Sequence, residues 1–476
     1  MRICLRPCCM AVLMCLLDTA NVLADSPPVA ELLSQLIRID TSNPPGNEAA
    51  VAEFLAPRFA QLGFEVEIVK TPEPGKAHLF ARLKGDGSKR PVLLTAHADV
   101  VGVEAEKWTR EPFGGETVDG YVYGRGALDF KGGMAVFAEA VMRLAREKVP
   151  LSRDVVFLAA ADEESGSFGT DWLADNRWDL MKAEFVLNEG GWIIKNANGD
   201  VRYVSISTAD KISMRLRLIA RGTSIHASTP MADNAIFALA RALARLEAYD
   251  PPPALIPSTR RFFRVLGETS AEPMRGHFFT LLDEDNPERL AAAKVISEDI
   301  LLHAIMHNTV APVILEGGFR GNVVPSSASA DINFRLVPGT DVDSFIEEIR
   351  RVIDEPGHPV EITAPSGIAP ELLRDYVEDR LSVPPSSEDT DLFRALERHA
   401  PDIYPGALVT SYVFQAATDA FPWRSRGVPV YGIYPYPVET TELQGMHGND
   451  ERVGIDSLAS GTEMIYRVLL DVAAKR

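Results

Sequence analysis

Hydrophobic and polar positions follow two periods along this chain. Residues 29–38 and 47–62 carry apolar side chains at helical spacing, and Gly63 stands where a helix stop is expected. Residues 64–69 then alternate as a strand. Residues 91–96, 154–160, 184–187 and 428–433 are short, continuously apolar runs rich in Val, Leu and Phe, the pattern of strands buried on both faces of a parallel sheet. Between them, residues 131–148 place Met134, Phe137, Val141 and Leu144 on one helical stripe. Buried strands alternating with amphipathic helices predict an α/β fold, a mostly parallel sheet flanked by helices.

From about residue 210 the pattern changes, because Ile212, Met214, Leu216 and Leu218 alternate strictly. The expected order is a strand to 220, a helix at 234–247, an irregular helical insertion over 251–307, strands at 313–317 and 328–336, a helix at 343–354 and a strand at 360–364. Without the insertion this is a ferredoxin-like β-α-β-β-α-β unit. The expected organisation is therefore a first domain over 25–209, an inserted α+β domain over 210–365, and a return to the first domain over 366–476.

The 476 residues exceed what one core usually organises, in keeping with two domains. A net charge of -19 speaks against a phosphate-tracking surface, so no nucleic-acid partner is expected. Residues 1–24 have the features of a secretory signal: Arg2 and Arg6, an apolar stretch over 8–17, and a polar tract ending at Val22-Leu23-Ala24. That stretch is about half of the ~20 residues a membrane span needs, so stable insertion is not expected once the segment is cleaved. A periplasmic or secreted location follows. Cys4, Cys8, Cys9 and Cys15 all lie in the segment, leaving the mature chain without a thiol. Any metal must then be held by imidazole and carboxylate, which suit zinc and also accept cobalt or manganese.

Such side chains cluster at the ends of the apolar runs: His97 with Asp99, the triplet Asp162-Glu163-Glu164, and Glu189, with Asp129 after the loop Gly124-Arg125-Gly126 and His447 near the end of the chain. Open parallel sheets bind ligands at their carboxyl ends, so these clusters are expected to meet in one crevice. Together they have the ligands and base of a two-metal hydrolase. His303 and His307 share a helical face, but Ala304 stands where a metalloprotease glutamate would be needed, and they are read as ordinary residues.

In order, the segments HADVV from His97, Trp108 with Pro112-Phe113, YGRGALDFKGG from Tyr123, ADEESGS from Ala161, NEGG from Asn188, NVVP from Asn322, TDA from Thr418 and HGNDERV from His447 span nearly the whole mature chain. In these segments the chain resembles the co-catalytic zinc peptidases that include aminoacylase-1, glutamate carboxypeptidase and succinyl-diaminopimelate desuccinylase, and most of all their carboxypeptidase S branch.

The resemblance implies two zinc ions per subunit, with Asp129 bridging, His97 and Glu189 on one ion, and Glu164 and His447 on the other. It implies Glu163 as general base and Asp99 as the residue that orients His97. His226 would reach across a homodimer, formed through the inserted domain, to stabilise the oxyanion at the partner's site. Asn322 and Arg335 would grip the substrate carboxylate. The expected activity is hydrolysis, through a metal-bridging hydroxide, of the amide bond next to a C-terminal amino acid in a small peptide or N-acyl amino acid. An aminopeptidase on the same core is the alternative, and a non-catalytic binding protein would be expected to have lost a ligand or Glu163. Two positions depart from the family pattern. Ile225 and the pair Ala416-Ala417 stand where glycine is usual, which bears on substrate preference rather than on metal binding.

Overall fold

The computed structural model describes residues 27–166, 168–196 and 198–475, so the expected signal segment and all four cysteines lie outside the described residues. Eight strands form a large sheet in the spatial order Glu65–Lys70, Ala77–Leu83, Val155–Ala160, Val92–His97, Phe185–Lys195, Val430–Val438, Val201–Asp210 and Leu408–Phe414. Pairing is parallel through the middle and at the last pair. It is antiparallel at the first edge and where Val201–Asp210 folds back on Phe185–Lys195. Val92–His97 and Val155–Ala160 are buried at every position, which is why they read as unbroken apolar runs.

The helix Lys131–Arg146 is buried along nearly its whole length and packs against the sheet and the helix Ile455–Ala473. Its Lys-Gly-Gly start is a steric requirement. A Cβ on Gly132 would stand 2.2 Å from the Ala127 carbonyl oxygen, and one on Gly133 2.1 Å from the Phe130 ring. These glycines let the helix begin directly after Asp129.

A smaller antiparallel sheet has the order Thr309–Gly317, Ser327–Leu336, Ile212–Arg221 and Val360–Thr363. The helices Ala235–Glu247 and Val342–Ile353 share its core, giving the β-α-β-β-α-β arrangement.

Two segments pack elsewhere than expected. Within 251–307 there are four helices, Pro257–Thr269, Met274–Leu282, Arg289–Ile296 and Ile300–Met306, and their Phe262, Phe278 and Ile305 enter the large core rather than the small one. Conversely Pro370–Leu381, in the returning chain, buries Val377 and Leu381 in the small core. An amphipathic helix signals that one face must be covered, not by which sheet. Among the described residues no helix is long and apolar enough to cross a membrane.

Candidate metal centre and active site

The acidic and imidazole side chains converge at the carboxyl ends of the parallel strands. His97 ends the strand Val92–His97, and the turn 162–165 follows Val155–Ala160. Glu189 reaches the cluster differently from the expectation that it follows a strand end. The strand continues to Lys195, and Glu189 sits inside it at a register shift beside Gly190, whose φ is 151°. A Cβ on Gly190 would stand 3.0 Å from the Gly432 Cα, so glycine permits the bulge that redirects the chain there.

Asp129 is the centre of the cluster. Its Oδ1 lies 3.1 Å from His97 Nε2 and its Oδ2 lies 3.0 Å from His447 Nε2. Glu189 Oε2 stands 3.7 Å from the first imidazole and Glu164 Oε1 3.3 Å from the second. One carboxylate thus presents a different oxygen to each of two donor groups. His97, Asp129 and Glu189 form one, and Asp129, Glu164 and His447 the other, with the donor atoms of each group within 4.8 Å of one another; His97 with Glu163 and Glu164, and Glu48 with Asp99 and Asp162, are grouped equally closely.

The electrostatics call for positive charge at both places. Burial, reinforced by Glu189, holds the Glu163 carboxyl well above its usual range, and burial raises Glu189 to about 7. His97 is protonated readily despite its burial, because Glu189, Asp129 and Asp99 surround it. Asp129 and Glu164 push His447 up to about 10. Protons on the imidazoles are therefore compensating carboxylates that are poorly solvated. Glu164 Oε1 is buried without a conventional hydrogen bond among the described residues. Divalent ions suit such donors in both charge and ligand type.

The surrounding network holds this geometry. Glu451, fully buried, pairs with Arg125 at 2.6 Å and accepts hydrogen bonds from the backbone N–H groups of Gly126, Leu128 and Asp129, which fixes the Asp129 loop. His97 Nδ1 is nearer to the Asp99 backbone carbonyl, at 3.0 Å, than to its carboxylate, at 3.5 Å. The carboxylate also accepts from the N–H groups of Glu163 and Glu164, at 3.1 and 2.9 Å, and from Asn43. It is occupied by the turn that carries the acids.

Sequence reasoning missed Asn43, Tyr434 and the role of Glu451. The Asn43 amide donates to both Asp99 and Asp162, each at 2.8 Å, while Lys76 pairs with Asp162 and Glu48 accepts from the Asp162 N–H. The Tyr434 hydroxyl stands 3.1 Å from Asp129 Oδ1 and 3.0 Å from Glu189 Oε2, and its ring stacks on Trp192. A tyrosine inside a continuously apolar strand was the available signal, since its buried hydroxyl needs a partner.

The remaining site residues lie on the small unit. His226 is exposed on a two-stranded ribbon, Ile225–His226 with Val323–Val324, and its Nδ1 is 2.8 Å from Ser228 Oγ. Asn322 is exposed beside it, its carbonyl accepting from the Ala227 N–H. Among the described residues neither touches the acidic cluster of its own chain. Arg335, on Ser327–Leu336, is half-buried and senses the charges of Glu163 and Tyr376. His303 and His307 stack on each other, and His307 bonds the Pro251 carbonyl, as expected of ordinary residues.

Residues 93–471 match the model of Peptidase family M20/M25/M40. The chain belongs to this family. As an M20-family protein it is an enzyme, a metal-dependent hydrolase. Probable carboxypeptidase S-like 2 of Dictyostelium discoideum is 30% identical over 395 residues, covering 81% of this chain and 72% of the relative. N-fatty-acyl-amino acid synthase/hydrolase PM20D1 of Homo sapiens is 27% identical over 456 residues, or 92% and 86% of the two chains. Among solved structures, the M20 family metallo-carboxypeptidase Sso-CP2 from Sulfolobus solfataricus shares the fold with a TM-score of 0.67 at 20% identity, covering 94% of this chain and 99% of that one.

Proposed function

We propose that this M20-family hydrolase cleaves the amide bond next to a C-terminal amino acid bearing a free carboxylate, as a carboxypeptidase, dipeptidase or N-acyl amino-acid hydrolase. Arg335 carries the reading. Its guanidinium is half-buried, feels the charge of Glu163, and has neither an ion pair nor a hydrogen bond among the described residues. An unpaired buried cation is costly, and a carboxylate matches its planar fork. Asn322, on the ribbon with His226, would complete the grip.

His97, Glu189 and Asp129 would hold one ion and Glu164, His447 and Asp129 the other. We read them as two zinc ions per subunit, with cobalt or manganese acceptable to the same donors. Such a pair, when bound, polarises a carbonyl and lowers the pKa of water. Glu163 takes a proton from the attacking water and delivers it to the leaving amine as the C–N bond breaks. Asp99 positions Glu163 and Glu164 through their backbone N–H groups.

The small sheet supports a homodimer. Its edge strand Thr309–Gly317 is unpaired on one side and exposes Val313, Ile314 and Leu315, with Phe237 and Phe319 also exposed on this unit. Such an apolar edge is a pairing surface. In a dimer, His226 of one subunit would donate to the oxyanion formed at the other. Residues 1–24 would direct the protein to the periplasm or the exterior.

An aminopeptidase reading has one observation in its favour, the carboxyl of Asp419, raised to about 6 by burial and facing the crevice beside Glu163. One oxygen of that group already holds the Thr170 hydroxyl at 2.7 Å. Zinc-loaded protein should turn over N-acyl amino acids and dipeptides with a free carboxylate and neglect their C-terminal amides. Equal turnover of the amides would exclude the carboxylate grip.

A further inference from the structure

Tyr434 lies in the strand Val430–Val438 and is fully buried, with its hydroxyl directed at two carboxylates. It donates to Asp129 Oδ1 at 3.1 Å and to Glu189 Oε2 at 3.0 Å, and these are the same two oxygens that face His97 Nε2, at 3.1 and 3.7 Å. We propose that Tyr434 is a positioning residue for one ion of the pair: its hydroxyl holds the two carboxylate oxygens together beside His97 and so retains the ion of His97, Glu189 and Asp129, without being a ligand itself. The proposal rests on the two-ion reading and adds the residue that makes the two places unequal.

The ring is clamped. It stacks on Trp192 with centroids 4.2 Å apart and planes at 17°, and it meets the Phe130 ring edge-on at 5.0 Å and 76°. Phe130 directly follows Asp129, and Trp192 lies three residues beyond Glu189, so the segments that carry the two carboxylates also grip the ring that bonds them. Trp192 is fixed in turn, its Nε1 donating to Gln415 Oε1 at 3.3 Å. A phenol held in this way keeps only the rotation of its O–H bond, and its one proton serves either oxygen.

Two carboxylate oxygens brought together away from water repel each other. A hydroxyl aimed at both offsets that repulsion and still leaves each oxygen a lone pair for an ion. No such hydroxyl is bonded to the other pair among the described residues. Asp129 Oδ2 and Glu164 Oε1 face His447, which is half-exposed, and Glu164 Oε1 has no conventional hydrogen bond among the described residues. A tyrosine bound directly to the ion would add a fourth protein donor to His97, Glu189 and Asp129, filling the position that a catalytic ion keeps open for water and substrate. Donation to the ligands, rather than ligation, is therefore the role that leaves the place able to work.

Each ion can be followed alone, because His447→Ala leaves the donors of the His97 ion and His97→Ala leaves those of the other. In the first background Tyr434→Phe, which keeps the ring and removes only the hydroxyl, should weaken zinc binding about tenfold in competition with a chromophoric chelator. In the second it should change the affinity by no more than about twofold. Trp192→Leu keeps the hydroxyl but removes the platform under the ring, and it gives the same comparison by a second route, with the His97 ion again the one weakened. Unchanged affinity of the His97 ion in Tyr434→Phe overturns the proposal, as does equal weakening of both ions. So does a tyrosinate absorbance that appears on zinc loading of the wild-type chain and is lost in Tyr434→Phe, since that would make Tyr434 a ligand. Failure of the underlying two-ion reading has a different signature: His447→Ala protein would then bind no zinc, with or without the hydroxyl.

Discussion

Around Asp129 most of the functional side chains are held by other buried groups: Glu451 grips the loop, Asp99 the Glu163-Glu164 turn, and Tyr434 touches both Asp129 and Glu189, while His447 is half-exposed and meets Asp129 and Glu164. On the ribbon of the small unit, His226 and Asn322 are exposed and bond only to their own neighbourhood among the described residues. The first region is complete within one chain, whereas the second has the character of a surface that becomes a site only when something is placed against it. In the roles proposed above, preorganisation of the metal ligands and assembly of the substrate handles thus fall to different units.

The largest effect should come from Asp129→Ala. Both donor groups lose an oxygen, so metal analysis should find both ions gone and turnover abolished, whereas His447→Ala should spare the ion held by His97 and Glu189. Retention of two ions in the Asp129 variant would break the bridging assignment. Glu451→Ala leaves Arg125 and three backbone N–H groups without their buried acceptor. A loss of about 3–5 kcal/mol in denaturant unfolding is expected, and a value near zero would show that the loop is held otherwise.

His226→Ala tests the opposite region. Metal content should be unchanged while the rate falls about 100-fold. Co-expression with Glu163→Gln subunits should restore part of the turnover, since a mixed dimer contains one site with both groups intact. No recovery would place His226 outside the partner's site. The smallest effect concerns Glu48, whose carboxyl is raised to about 7 by burial and by Asp99. The folded state holds this proton more tightly than the unfolded chain, so stability should fall as pH rises from about 4.5 towards 7. Glu48→Gln should narrow the difference in unfolding temperature between pH 5 and pH 8.

The same contrast governs what the sequence makes legible. His97 and the 162–164 triplet stand out because they interrupt apolar strands at their ends, where a polar side chain contributes nothing to the packing of the sheet. Glu189 is identifiable in the same way, but its bulge is not, since the glycine conformation that creates it leaves no periodic trace. Asn43 is invisible because it lies in a proline-rich turn whose packing against Asp99 and Asp162 is a tertiary event. The helices over 257–306 are recognisable as helices, yet the pattern does not say which core they enter, because amphipathicity does not name the opposing surface. Tyr376 and Phe421 come from distant segments, and only folding brings both rings against Arg380.

Glu163 is grouped with His97 and Glu164 and its charge reaches Arg335, and it tests the account most directly. Zinc-loaded Glu163→Gln should retain two ions per chain and the wild-type affinity for a free-carboxylate product, while turnover falls about 1,000-fold. Turnover within about tenfold of wild type, or loss of metal together with activity, would contradict its assignment as the base.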